Sequence, residues 1–183
     1  LSEERRVLRA KGVASISDVN ENTKLDWEFH FRDSSSLLPT EIIETWTNNF
    51  HFVKENPTAK ILGLRQPQVG AIHSIGSHWS IDPTPATVVM PTGTGKTEVM
   101  LSTLIGEKCG LVLVMVPSNA LRDQTFRKFS TLGCLEQIGA VDDRVLFPRV
   151  VKINSGLRDV GHAKQLFDGS NVLIATAAIL NTL

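Results

Sequence analysis

The sequence predicts an α/β fold with a parallel sheet, and three observations support this prediction. From about residue 61, short β-branched or apolar runs alternate with stretches of helical periodicity. Two runs, 110–116 and 171–176, are almost continuously apolar, which is typical of strands buried on both faces of a parallel sheet. A glycine-rich turn, "PTGTG" (91–95), separates another run from a helix that begins with lysine and threonine. Strands and helices in this order form a parallel sheet through right-handed crossovers.

Composition is consistent with one domain of ordinary size, with or without an extension. The chain has 183 residues, of which 42% are hydrophobic, enough for a core. Its 19 basic and 19 acidic residues cancel, so any contact with nucleic acid must be local. Cys109 and Cys134 lack metal-binding spacing, and two thiols without a signal peptide favour a reducing, cytoplasmic location. No apolar run is long enough to span a bilayer, so no membrane partner is expected.

Residues 1–60 are predicted to form an N-terminal extension or accessory segment that packs on the following lobe. "SEERRVLRA" (2–10) could begin a short helix capped by Ser2, and "LDWEFHF" (25–31) alternates like a strand. "PTEIIETWTNNFHFV" (39–53) is predicted to be a helix that begins at Pro39 or Thr40. This region carries no recognisable chemistry, so its expected role is structural cover.

Residues 61–183 are predicted to form the main lobe. Before the glycine-rich turn lies a helical stripe of apolar residues, which ends at "SIDPTP" (80–85); the stripe consists of Val69, Ile72, Ile75 and Trp79. Strands are predicted at 86–90, 110–116, 149–154 and 171–176. Helices are predicted at 96–108, 118–132 and 160–167.

"MPTGTGKT" (90–97) has the residues of a phosphate-binding loop. Gly93 and Gly95 lack Cβ atoms, so the backbone can turn its N–H groups inward beside the positive end of the next helix. The Lys96 ammonium can reach the β- and γ-phosphates, and the Thr97 hydroxyl can ligate Mg²⁺; these two are the candidate catalytic residues. Met90 replaces the first glycine of the general pattern GxxxxGK[ST]. A bound nucleoside triphosphate is therefore predicted, with contacts from Pro91, Thr92, Gly93, Thr94, Gly95, Lys96, Thr97 and Glu98.

The loop and its flanks resemble superfamily 2 helicases and translocases. "MPTGTGKT" is similar to motif I of that family, from which it departs at Met90. "LRQPQVGAI" (64–72) resembles the segment in which an arginine and a glutamine recognise adenine, here Arg65 and Gln68. The resemblance covers residues 61–183 and implies a P-loop, RecA-like lobe that binds ATP and Mg²⁺. It is strongest to the DEAD/DEAH-like branch that includes helicase subunits of restriction and DNA-defence systems.

The same resemblance implies contacts with a nucleic-acid backbone. "VLVMVPSNALRDQTFRKF" (112–129) resembles motif Ia, "INSG" (153–156) could add a phosphate-facing turn, and "NVLIATAAIL" (171–180) resembles the stretch that ends in motif Ib. The residues implied are Pro117, Ser118, Asn119, Arg122, Gln124, Ser155, Gly156 and Thr176. Structural interpretations stand beside these roles: Ser118, Asn119, Thr176 and Gln68 could cap helices, and Arg122 could be solvent-exposed.

By this resemblance the parent protein is an ATP-dependent helicase or translocase that moves on or remodels DNA or RNA. The acidic motif II and the second RecA-like lobe do not appear before Leu183. Asp142 and Asp143 come too early in the order and are predicted to form a surface turn. The chain is therefore expected to be part of the first RecA-like lobe, truncated before motif II and inactive alone. Its implied partners are a nucleic-acid strand, the second lobe of the parent chain, and other subunits of a restriction or defence complex.

Two other functions remain open on the sequence alone. A small P-loop kinase would be complete at this length but would need a cluster of arginines after the third strand. The arginines there, Arg144, Arg149 and Arg158, are scattered. A non-catalytic ATP-binding scaffold would have no reason to keep both Lys96 and Thr97.

Overall fold

A computed structural model describes residues 6–10, 25–29, 37–157 and 159–180, and the chain divides into two compact units, Leu1–Asp33 and Ser34–Leu183. In the first unit, β1 (Arg6–Ala10) pairs antiparallel with β2 (Leu25–Phe29). The predicted strand is confirmed over Leu25–Phe29. The predicted helix is wrong at Arg6–Ala10, because pairing with a distant strand overrides a weak local helical tendency. Ser2 and residues 30–31 lie outside the described residues.

The second unit is an α/β lobe around a parallel three-stranded sheet. The strands are β3 (Val112–Val116), β4 (Val150–Lys152) and β5 (Val172–Thr176), and their spatial order is β3-β5-β4. Val112 pairs in register with Val172, and Val150 pairs with the same residue from the other side. The central strand β5 is buried along its whole length, as its continuous apolar run predicts. The predicted α/β fold with a parallel sheet is confirmed.

Six helices are described in this unit, and their ends follow recognisable signals. They are α1 (Pro39–Glu44), α2 (Gln66–Ile81), α3 (Lys96–Gly106), α4 (Asn119–Ser130), α5 (Val160–Asp168) and α6 (Ala177–Leu180). The Ser118 hydroxyl accepts from the Leu121 N–H to cap α4, and an Asp159 carboxylate oxygen accepts from the His162 N–H to cap α5. None of the helices in the described part of the chain is long and apolar enough to cross a membrane.

The helix predicted over 39–53 is shorter than expected. It begins at Pro39, as predicted, but α1 ends at Glu44. Asn48 then takes a left-handed φ of 60°, which an α-helix cannot continue through. Beyond it, Phe50 forms an isolated bridge with Val141, and the His51 N–H donates to the Ala140 carbonyl at 2.8 Å. These distant backbone partners replace the hydrogen bonds of further helical turns.

The segment before the glycine-rich turn is not a strand. No backbone hydrogen bond joins residues 86–90 to any other described segment, and Val89 is 88% exposed. Strand β3, predicted to be buried on both faces, is instead at the edge of the sheet, with Leu113 and Met115 exposed. An apolar cavity of about 420 Å³ is lined by residues of both segments, including Val88 and Met90 on one side. A strand needs a hydrogen-bonded neighbour, and none of the described strands is hydrogen-bonded to this segment.

Residues 37–60 are part of the core of the second unit. Ile42 and Trp46 are fully buried in its main apolar cluster, and the Trp46 indole N–H donates to the Leu146 carbonyl at 2.9 Å. The Leu146 N–H donates in turn to the Thr45 hydroxyl at 3.0 Å. The compact unit therefore includes α1, and its contact-defined boundary lies between Asp33 and Ser34.

Replacing Trp46 by alanine should lower the free energy of unfolding by about 3 to 5 kcal/mol, because a large buried ring leaves a cavity. Trp46→Phe keeps an aromatic ring but loses the hydrogen bond to Leu146, so its free energy of unfolding should fall clearly less than that of the alanine variant. Urea unfolding followed by circular dichroism measures both. A loss of less than about 1 kcal/mol for the alanine variant would contradict the assignment of α1 to the core.

Candidate nucleotide site and nucleic-acid interface

The phosphate loop is shaped by two glycines in the left-handed region. Gly93 has φ 82° and Gly95 has φ 87°, values that L side chains rarely adopt. Gly95 is the N-cap of α3, so the helix begins at Lys96. The first N–H groups of α3 have no partner within the helix and, with its dipole, favour an anion at this end. The Lys96 ammonium donates to the Pro91 carbonyl at 3.0 Å, and so remains beside its own loop.

Gln68 fastens α2 to this loop. Its side-chain oxygen accepts from the Arg65 N–H at 2.7 Å, and its side-chain nitrogen donates to the Gly95 carbonyl at 3.2 Å. Gln68 is only 5% exposed, and a Cβ atom at Gly95 would overlap its amide nitrogen. The Arg65 guanidinium donates to the Gly93 carbonyl at 3.2 Å. Both residues that were predicted to recognise adenine therefore hold loop backbone in this structure, and Gln68 also caps α2.

A cavity of about 740 Å³ opens in front of the loop. Most of the predicted nucleotide contacts line it: Arg65, Gln68, Thr92, Gly93, Gly95, Lys96, Thr97 and Glu98. Pro91 and Thr94 are not among the lining residues. They lie within the loop instead, where the Pro91 carbonyl accepts from both Lys96 and the Thr94 hydroxyl.

Other elements line this cavity through residues that sequence reasoning missed or assigned elsewhere. Helix α4 contributes positions spaced by three and four, which share one helical face: Leu121, Gln124, Thr125 and Lys128. Further wall residues are Glu55, Leu62, Gly63, Cys134, Gln137 and Ile138. Gln124 was predicted to bind nucleic acid, and the structure places it on the nucleotide side. The i, i+3, i+4, i+7 spacing on α4 was visible in the sequence, whereas the other wall residues carry no such signal.

One ion pair crosses this cavity wall. The Lys128 ammonium lies 2.5 Å from a carboxylate oxygen of Glu98, whose side chain is 13% exposed. Nearby, burial raises the pKa of the Cys134 thiol, and the negative charge of Glu98 raises it further. A raised pKa keeps this thiol protonated at neutral pH and therefore weakly nucleophilic.

The residues present fit a nucleoside triphosphate with Mg²⁺. The loop supplies two glycines without Cβ atoms, a helix N-terminus, an ammonium and a hydroxyl, which is the donor set that phosphates require. Thr97 is placed to offer one oxygen to a magnesium ion, which takes few protein ligands and keeps phosphate and water oxygens. Within the described residues, no group of three or more His, Cys, Asp or Glu side chains could hold a metal by itself.

A second cavity, of about 470 Å³, lies at the carboxyl ends of β3 and β5. It brings together five of the predicted nucleic-acid contacts from two separate stretches of the chain: Pro117, Ser118, Asn119, Arg122 and Thr176. Asn154 also lines it, whereas its neighbours Ser155 and Gly156, which were predicted to contact nucleic acid, do not. The cavity is adjacent to the N-terminus of α4, where anions are favoured.

Arg122 is not solvent-exposed, which was one of the two interpretations that the sequence left open for it. It is only 9% exposed, and its guanidinium donates to the Ile153 carbonyl at 3.0 Å. The Nε atom of the same side chain is buried and has no hydrogen-bond partner. A buried arginine with an unmet donor beside an anion-favouring helix end places fixed positive charge next to this second cavity.

Comparison with known proteins gives one family. Residues 61–152 match the type III restriction enzyme, res subunit family. No curated protein and no solved structure matches the chain significantly. The matched region contains α2, the phosphate loop, α3 and α4, which supply most of the residues that line the nucleotide cavity. The family is a superfamily 2 helicase-like, P-loop, RecA-like domain, in agreement with the sequence resemblance and with the parallel sheet. The chain therefore belongs to the type III restriction enzyme res subunit family and contains part of its N-terminal RecA-like lobe.

Proposed function

We propose that this chain is the ATP-binding lobe of an ATP-dependent helicase or translocase that acts on DNA or RNA. The observation that carries the proposal is the phosphate loop, where Gly93, Gly95, Lys96 and Thr97 all line one cavity at the N-terminus of α3. The family as a whole is ATP-dependent and helicase-like, which supports the same class of activity.

Each loop residue has a distinct part in holding MgATP. The N–H groups at the start of α3 would donate to phosphate oxygens, and Lys96, which donates to the Pro91 carbonyl here, would hold the β- and γ-phosphates. Thr97 would hold a magnesium ion through its hydroxyl, and that ion would supply charge neutralisation at the phosphates. Arg65 and Gln68 hold the loop and lie on the cavity wall, where a base could meet them.

The second cavity is the proposed contact for a nucleic-acid backbone. Phosphate oxygens would meet the N–H groups at the start of α4, the Asn119 side chain and the charge of Arg122. Such contacts position a strand without reading its bases, so DNA and RNA are both candidate partners. Efficient hydrolysis would additionally require an acidic residue that orients water and an arginine finger, which we assign to a motif II and a second RecA-like lobe of the parent protein. Other subunits of a restriction complex are further candidate partners.

Lys96→Ala should reduce the affinity for MgATP by at least about tenfold, because it removes the charge that faces the β- and γ-phosphates. Calorimetric titration of the wild type and the variant with MgATP and MgADP measures this loss. Lys108→Ala, just beyond the C-terminal end of α3, is the matched control and should bind like the wild type. Equal affinity of wild type and Lys96→Ala for MgATP would overturn the phosphate site.

Asn119→Asp should weaken the binding of a single-stranded oligonucleotide by about five- to tenfold, because a carboxylate would repel phosphate at the start of α4. The stability of α4 should not decrease, since an acidic residue in the first turn interacts favourably with the helix dipole. Asn56→Asp carries the same change in charge outside this cavity and should bind like the wild type. Fluorescence anisotropy at two salt concentrations measures affinity. Indistinguishable binding by all three proteins would contradict the proposed surface.

A further inference from the structure

The nucleotide cavity contains a carboxylate where a triphosphate would have to bind. Glu98 directly follows Thr97 in the first turn of α3 and lines the same cavity. Its side chain is largely buried, so water screens its charge poorly. A bare carboxylate here would repel the phosphate oxygens that Lys96 and the helix N-terminus attract.

The three cations on this cavity wall have different partners. Arg65 donates to the Gly93 carbonyl and Lys96 to the Pro91 carbonyl, both within the phosphate loop. Lys128 comes from α4 and makes the 2.5 Å ion pair with Glu98. Its ammonium thus cancels the one negative charge that immediately follows the loop residues.

We propose that Lys128 is a positioning residue of the nucleotide site, which acts through Glu98. It neutralises the Glu98 carboxylate and keeps it turned toward α4 when phosphates are bound. Lys128 itself does not contact the phosphates. This inference rests on the proposed nucleotide function and adds a residue that neither the phosphate-loop pattern nor the family resemblance assigned.

The position of Lys128 gives this role a structural consequence. Residues Leu121, Gln124, Thr125 and Lys128 form the face of α4 toward the nucleotide cavity, while Ser118, Asn119 and Arg122 line the second cavity. Two further contacts join α4 to the sheet side: the Arg122 guanidinium donates to the Ile153 carbonyl, and the Lys152 ammonium donates to an Asp123 carboxylate oxygen at 2.9 Å. The C-terminal half of α4 therefore neutralises Glu98 at the nucleotide site, and the N-terminal end of the same helix lines the second cavity.

A double-mutant cycle on Lys128 and Glu98 tests the inference. Calorimetry would give MgATP and MgADP affinities for wild type, Lys128→Met, Glu98→Gln and the double variant. Lys128→Met should weaken MgATP binding by about fivefold or more, and MgADP binding by less, because repulsion grows with phosphate charge. In the Glu98→Gln background the same substitution should change MgATP affinity by less than about twofold. Lys128→Arg should retain binding near the wild-type value.

Two further variants keep the test independent of folding. Arg127→Met removes a charge from the exposed side of the same helical turn and should bind MgATP like the wild type. Glu98→Gln alone should bind MgATP at least as tightly as the wild type, because it removes the repulsive charge. Weaker binding by Glu98→Gln, or an equal loss from Lys128→Met in both backgrounds, would overturn the positioning role. Wild-type protein that binds neither nucleotide would overturn the proposed function, and the inference with it.

Discussion

The candidate site depends on the close approach of α2 to the phosphate loop at Gly95. The left-handed φ of Gly95 and its missing Cβ atom let its carbonyl accept from Gln68, whose amide oxygen caps α2 at the same time. One nearly buried amide thus fixes the start of a 16-residue helix and the turn before α3. Any side chain at position 95 would meet both backbone strain and the Gln68 amide, so the loop geometry is set by packing as well as by its own sequence.

A chain of contacts connects the phosphate loop to both candidate sites. The loop begins α3, whose Glu98 pairs with Lys128 of α4, and α4 in turn packs against the sheet through β4 and β5. The buried Arg122 donates to the Ile153 carbonyl just after β4 and also lines the second cavity. The nucleotide cavity and the proposed nucleic-acid surface therefore share α4 as part of their walls. Movement of α4 would change the geometry of both cavities, which is the physical arrangement that coupling between two sites requires.

Local sequence signals predicted most of the lobe, and non-local pairing explains where they failed. Pro39, the capping role of Ser118 and the apolar run of β5 mark their elements correctly, because each signal acts within a few residues. Arg6–Ala10 and residues 86–90 were misassigned because a strand is defined by a neighbour that the local sequence does not reveal. The phosphate loop was predictable from its pattern. Lys128 was not, since its partner is 30 residues away and only the folded chain brings them together.

Mapping the residues that MgATP contacts tests the phosphate loop most directly. We would titrate a ¹⁵N-labelled sample with MgATP and with adenosine and follow the backbone amide resonances. We expect MgATP to shift the amide resonances of Gly93, Gly95, Lys96 and Thr97 most strongly, and adenosine, which has no phosphates, to leave them nearly unchanged. Amides that respond equally to both ligands, or that shift mainly outside the loop and its cavity, would contradict the claim that this turn is a triphosphate cradle.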